Sequence, residues 1–179
     1  MKYAAFFRNV NLGRPNSPSR VQLEQAFLVA GAGTAHSFLT NGTLVFSIPA
    51  NADPSATLAA AIEHMQRTCG LKEPGFVRSV DYLRELVASD PFASVDPSTV
   101  YACCATFLHA DMPAPPAVPL VSKREDVEVL RFTDGEALSL CRKIGNTPGS
   151  PNAFLEKHFA LPATTRNWNT VVRLVQKHG

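Results

Sequence analysis

The densest group of residues able to do chemistry lies near the end of the 179-residue chain. Thr164-Thr165-Arg166-Asn167-Trp168-Asn169-Thr170 sets hydroxyls, amides and a guanidinium ahead of an apolar run. Trp168, Val171, Val172 and Val175 fall at i, i+3, i+4 and i+7. That spacing predicts a helix over 165–177 with one stripe toward the core. Arg166, Asn169, Thr170 and Arg173 then lie near the opposite side, and Thr164 or Thr165 is placed to cap the first turn. A helix start offers free N–H groups and the positive end of its dipole, and a guanidinium grips phosphate or carboxylate with two parallel bonds. The chemistry this points to is recognition of a small anion. The competing account makes the threonines caps, Trp168 packing and Arg166 half of an ion pair, since an arginine in a first turn opposes the dipole.

Two further polar stretches carry candidate ligand groups: Arg8, Asn9, Asn11 and Gly13 after the first apolar run, and Asn41, Gly42 and Thr43 at an expected hairpin tip. The histidines (36, 64, 109, 158 and 178) are scattered, and no Ser/His/Asp order, P-loop or paired-glycine fingerprint occurs. Cys69, Cys103, Cys104 and Cys141 form no C-x-x-C and have no histidine at metal-ligand spacing, so they read as plain thiols, small and buried. Cys103 and Cys104 are neighbours on an expected strand and point to opposite faces. Asp81, Glu85, Asp126 and Glu128 are available acids, yet no pair has a spacing that demands acid/base work. The sequence therefore singles out no catalytic residue, and no metal or cofactor is expected.

These groups must be positioned by a chain whose 45% hydrophobic content suffices for a core without metals or disulfides. Its net charge of +2 is too small for a general polyanion surface, so anion binding has to come from a local cluster. The opening MKYAAFFRNVNLG is too short in apolar length for a signal core or a spanning helix, and a cytoplasmic protein without membrane partners is expected.

Lys2 to Arg8 reads as a strand that soon meets Gly13 and Pro15. Ser19 with Gln22 is a capping box for a helix ending near Gly31. The segment AHSFLTNGTLVFSIP is a hairpin around Asn41-Gly42. Asp53-Pro54 opens a second helix, striped by Leu58, Ala61, Ile62 and Met65 and stopped at Cys69-Gly70, and GFVRSV follows as a fourth strand. Strand, helix, strand, strand, helix, strand is the order of the ferredoxin-like split unit. Beyond it come a short helix over 81–87, three strand-like runs and two closing helices, with the proline-rich ADMPAPPAVPL as an exposed connection. The expected fold is α+β: a ferredoxin-like βαββαβ subdomain over 1–80 packed with a smaller α+β subdomain over 81–179, in one compact body.

PNAFLEKHFALPATTRNWNTVVRL resembles the closing motif of a mostly bacterial family, domain of unknown function 1697, and YAAFFRNVNLG is similar to its opening motif. FLTNGTLVF is similar to the family's hairpin pattern, which places Asn41, Gly42 and Thr43 on its Ser-Gly-Asn. Asn9 and Arg14 stand where the family usually has glycine, and Asn41 and Thr43 replace its serine and asparagine. The resemblance implies an α+β chain with ferredoxin-like halves and no particular activity.

Three classes of function remain in play. A small phosphate- or carboxylate-bearing ligand accounts for polar residues at three motif positions. A structural or protein-interaction module, its motifs bracing the subdomains, accounts for Trp168 and the caps. Single-stranded nucleic-acid binding on the sheet face is disfavoured, because alternation places Leu44, Phe46 and Ile48 on the core face and leaves Thr43, Val45 and Ser47 without a stacking ring. The sequence sets no oligomeric state.

Overall fold

Local signals place most helix ends. The Ser19 hydroxyl accepts from Gln22 N–H while the Gln22 side chain accepts from Ser19 N–H, and α1 (Arg20–Val29) starts from this capping box. Asp53 caps α2 (Pro54–Cys69) with Pro54 in its first turn, and Gly70 closes it in the left-handed region at φ 70°. Ser150 caps α4 (Pro151–Phe159) in the same manner.

The computed structural model describes residues 1–179 as an α+β chain with two antiparallel sheets and five helices. It divides into two compact units, Met1–Arg84 with His178–Gly179, and Glu85–Lys177.

In the N-terminal unit β1 (Lys2–Phe7), β2 (Thr34–Phe38), β3 (Thr43–Ser47) and β4 (Gly75–Ser79) form a sheet in the order β2-β3-β1-β4. β1 is central, pairing antiparallel with β3 (Phe6 opposite Thr43) and with β4 (Phe7 opposite Gly75). Period-two alternation sends Ala5, Phe7, Leu44 and Phe46 into one core with Leu23 and Phe27 of α1 and Leu58, Ala61 and Met65 of α2. Phe27 meets both Phe7 edge-on, at 6.2 Å between ring centres, and Phe46, at 4.8 Å. The opposite face is closed as well: Ala4, Phe6 and Thr43 are wholly buried and Val45 nearly so.

The hairpin departs from the sequence reading in one respect. Phe38 pairs with Thr43, so Leu39–Gly42 is a four-residue loop with Leu39 at φ 62° and Gly42 at φ 73°. Asn41-Gly42 is its last half and not the centre of a two-residue turn.

The boundary between units falls in α3 (Val80–Ala88). The C-terminal sheet has the order β6-β7-β8-β5-β9, built from β5 (Val100–Phe107), β6 (Leu120–Val121), β7 (Val127–Phe132), β8 (Glu136–Arg142) and β9 (Thr164–Asn167). Leu108, Val129, Ala137, Leu155 and Ala163 form a core there, and Phe132 and Phe159, edge-on to each other, pack against it. The proline-rich connection is mostly irregular, and its last residue, Leu120, begins the two-residue strand β6.

One sequence expectation is overturned here. Thr164–Asn167 is not the first turn of a helix but strand β9, and α5 spans Trp168–His178. Two adjacent threonines suit an extended chain, and β5 provides the partner, with Ala105 opposite Arg166 and Phe107 opposite Thr164. Neither Thr164 nor Thr165 caps α5; Asn167 does, its side chain accepting from Asn169 N–H at 3.0 Å. Val171 and Leu174 are the helix's fully buried residues, while Trp168, Val172 and Val175 are half-buried.

Candidate functional site

Antiparallel pairing dictates which loops meet. The residue leaving β1 must lie beside those entering β3 and β4, so three loops collect at one end of the N-terminal sheet. Hydrogen bonds tie them together. Phe7 N–H donates to Gly42 O at 2.9 Å, Leu12 N–H to Thr40 O at 3.0 Å, and Arg8 N–H to Pro74 O at 3.1 Å. The first two polar stretches, far apart in sequence, are thus one structural feature, joined by a third loop that sequence reasoning left out.

Within this cluster the residues differ in exposure and duty. Asn9 is exposed and left-handed at φ 50°, a conformation asparagine tolerates better than most residues. Asn11 and Gly13 are exposed, and the loop turns tightly through Arg14 N–H to Asn11 O and Gly13 N–H to Pro18 O. Gly42 is buried, and a Cβ there would lie 2.8 Å from Val10 Cβ and 3.1 Å from Phe7 Cβ. Thr43 is buried with its hydroxyl donating to Asn41 Oδ1 at 2.8 Å, which orients the half-buried Asn41 amide. Gly42 and Thr43 therefore hold the loops together, while Arg8, Asn9, Asn11, Gly13 and Asn41 are the groups with access to solvent.

Arg8 is the cation that links the loop after β1 to the loop before β4. Its Nη1 donates to Glu73 Oε2 at 2.7 Å, with both side chains between a quarter and a third exposed. Glu73 was not predicted from sequence, because a loop acid in LKEPG has no periodicity to mark it. Strand order is the signal that finds it: with Phe7 opposite Gly75, the residue after β1 must meet the residues before β4.

The third polar stretch belongs to the C-terminal unit and behaves differently. Arg166 is only 6% exposed. Its Nη1 donates to Thr164 Oγ1 at 2.8 Å and to Thr165 O at 3.0 Å. Burial pulls the guanidinium down to about 10, which still leaves it a cation at neutral pH. Thr165 Oγ1 donates to Asn152 Oδ1 at 3.0 Å and shares a 2.8 Å bond with the Thr106 hydroxyl, and the Asn152 amide in turn reaches the Glu156 carboxylate. Asn167 and Asn169 are exposed and Thr170 is half-buried. Around Arg166 the geometry is that of a polar network inside the sheet, with Asn167 as a cap.

No three His, Cys, Asp or Glu side chains come together in a set able to hold a metal ion. No helix is long and apolar enough to cross a membrane.

Comparison with known proteins adds a fold relative and a family. The structure of the conserved bacterial protein SP0830 from Streptococcus pneumoniae matches with a TM-score of 0.59 at 17% identity, covering 98% of this chain and 97% of that one. The similarity is one of fold. No curated protein matches the chain. The family model described as protein of unknown function (DUF1697) matches residues 1–137, most of the chain. By that match, and with the opening and hairpin motifs lying inside it, the chain belongs to the DUF1697 family.

Proposed function

We propose that the loops following β1, joining β2 to β3 and preceding β4 form a polar site for a small phosphate- or carboxylate-bearing ligand. Arg8 supplies the charge, and Asn9, Asn11, Gly13 and Asn41 supply hydrogen bonds. The observation that carries this reading is that backbone bonds bring two separate polar motifs to one end of the sheet, where a partly exposed arginine already holds a carboxylate, that of Glu73. A guanidinium and carboxylate at 2.7 Å display the geometry an anionic ligand would exploit. The same proposal reads the N-terminal unit as a ferredoxin-like split βαββαβ arrangement, supported by its element order and the β2-β3-β1-β4 sheet. Four free cysteines fit a reducing, cytoplasmic setting.

A second reading applies to the remaining motif residues. The burial of Gly42, Thr43 and Arg166 and the cap made by Asn167 favour structural duties for them, with Asn169 and Thr170 as outer residues of the first turn of α5. Single-stranded nucleic acid on the N-terminal sheet fares worse, since burial of Ala4, Phe6, Thr43 and Val45 removes the open face on which bases would stack.

Arg8 and Glu73 make the test directional. Thermal unfolding is followed with inorganic phosphate, nucleotides, sugar phosphates and carboxylates, since a ligand that binds only the folded state raises the melting point. Arg8→Ala should abolish any shift, whereas Glu73→Gln should enlarge it by removing the competing carboxylate. A shift unaffected by either change, or absent throughout the panel for both wild type and Glu73→Gln, rules the reading out.

A further inference from the structure

β5 and β8 pair along their full length, and this places two cysteines 37 positions apart in sequence against each other. Cys141 lies opposite Ala102, and Cys104 lies two residues further along β5, so the two form a diagonal pair on one face of the sheet. Their sulfurs are 3.9 Å apart and both residues are buried. Cys103 points the other way and is half-buried, and Cys69 lies in the N-terminal unit. Neither has such a neighbour.

We infer that Cys104 and Cys141 are an oxidisable dithiol that a peroxide closes into a reversible disulfide across β5 and β8.

Three features beyond the sulfur contact support this. First, Cys141 sits at the strand end that runs into an exposed loop: its thiol donates to Gly149 O at 3.6 Å, and Lys143–Pro148 are all exposed. Second, the Cys141 thiol donates to Gly149 O, which leaves its sulfur to accept from Cys104; that bond holds the Cys141 thiol below its ordinary value, against burial and the Asp126 carboxylate, and pushes Cys104 upward. Third, Ser139 stands directly opposite Cys104 and two residues from Cys141, wholly buried, with no hydrogen-bond partner for its hydroxyl. By the period of two it shares their face, where it can bond the hydroxyl of a sulfenic acid.

The chemistry balances with hydrogen peroxide as the oxidant. The Cys141 thiolate attacks one peroxide oxygen, the O–O bond breaks, and the departing hydroxide takes up a proton to leave as water, giving a sulfenic acid. Cys104 then attacks that sulfur, its proton and the sulfenic hydroxyl leave as a second water, and the S–S bond forms. Two thiols are oxidised by two electrons and one peroxide is reduced to two waters. Closing the sulfur gap to about 2.05 Å requires a local backbone shift of β5 against β8 as well as side-chain rotation, because a diagonal pair spans roughly 7–8 Å, beyond the usual disulfide range. A bond made under that constraint is readily reduced, which suits a switch more than a permanent staple.

The test uses the folded full chain with Cys69→Ser and Cys103→Ser combined, so that only the proposed pair can react. Hydrogen peroxide should remove two hydrogens by intact mass, dithiothreitol should restore them, and peptide mapping should join Cys104 to Cys141. Adding Cys141→Ser should abolish the change. The same mapping on wild type provides the answer should the double variant misfold, because a Cys104 to Cys141 link must then dominate over links to Cys69 or Cys103. Oxygen addition without cross-linking, a link that forms only in denaturant, or a wild-type map dominated by Cys103 overturns the inference.

Discussion

Gly42→Ala tests the packing that joins the two N-terminal motifs. An added Cβ would lie 2.8 Å from Val10 Cβ and 3.1 Å from Phe7 Cβ, and neither neighbour can retreat, since Val10 is 3% exposed and Phe7 1%. Overpacking of this kind costs about 1–3 kcal/mol. Gly42 also sits at φ 73°, where a side chain adds roughly 1–2 kcal/mol. Together these predict a loss of about 2–5 kcal/mol, a large share of the roughly 5–15 kcal/mol that keeps a domain folded. For a chain of this length that corresponds to a melting point lower by roughly 5–20 °C. Gly13→Ala is the internal control: its φ of 80° carries the same backbone penalty, but nothing lies within 4 Å of the new methyl group. The difference between the two variants isolates the steric contribution. The assay is far-UV circular dichroism against temperature, because Trp168, the chain's only tryptophan, lies in the C-terminal unit. Equal melting points for Gly42→Ala and Gly13→Ala would refute the packing argument and leave Gly42 free for close approach to a ligand.

Two further predictions concern the C-terminal sheet. Arg166→Ala removes the donor to Thr164 Oγ1 and Thr165 O in a buried setting, and should cost about 2–4 kcal/mol in urea unfolding, as losing several buried hydrogen bonds does. Because the group is shielded from solvent, that loss should change little between low and high salt; a loss of under ~0.5 kcal/mol, the size usual for open surface sites, would contradict a structural role. Ser139→Ala deletes a buried hydroxyl that has no partner, so it should be neutral or stabilise the protein by about 1 kcal/mol, and a clear drop in urea midpoint would show that the hydroxyl is bonded in solution.

Sequence patterns and tertiary contacts contributed different parts of this description. Wherever a structural feature depends on residues a few positions apart, the sequence determined it: the Ser19–Gln22 box, Asp53 and Gly70 at the ends of α2, and the alternation that buries Leu44 and Phe46. Tertiary structure decided what depends on distant partners. Arg166 looked like a helix residue because the apolar period of α5 can be extended back across it, but Ala105, sixty-one positions earlier, draws Thr164–Asn167 into the sheet. The same kind of long-range pairing sets Glu73 against Arg8 and the Cys104 sulfur against Cys141. Strand partners are chosen by burial of whole faces and by satisfaction of backbone hydrogen bonds across the chain. No local spacing encodes those conditions, so the polar residues could be named from sequence while their neighbours could not.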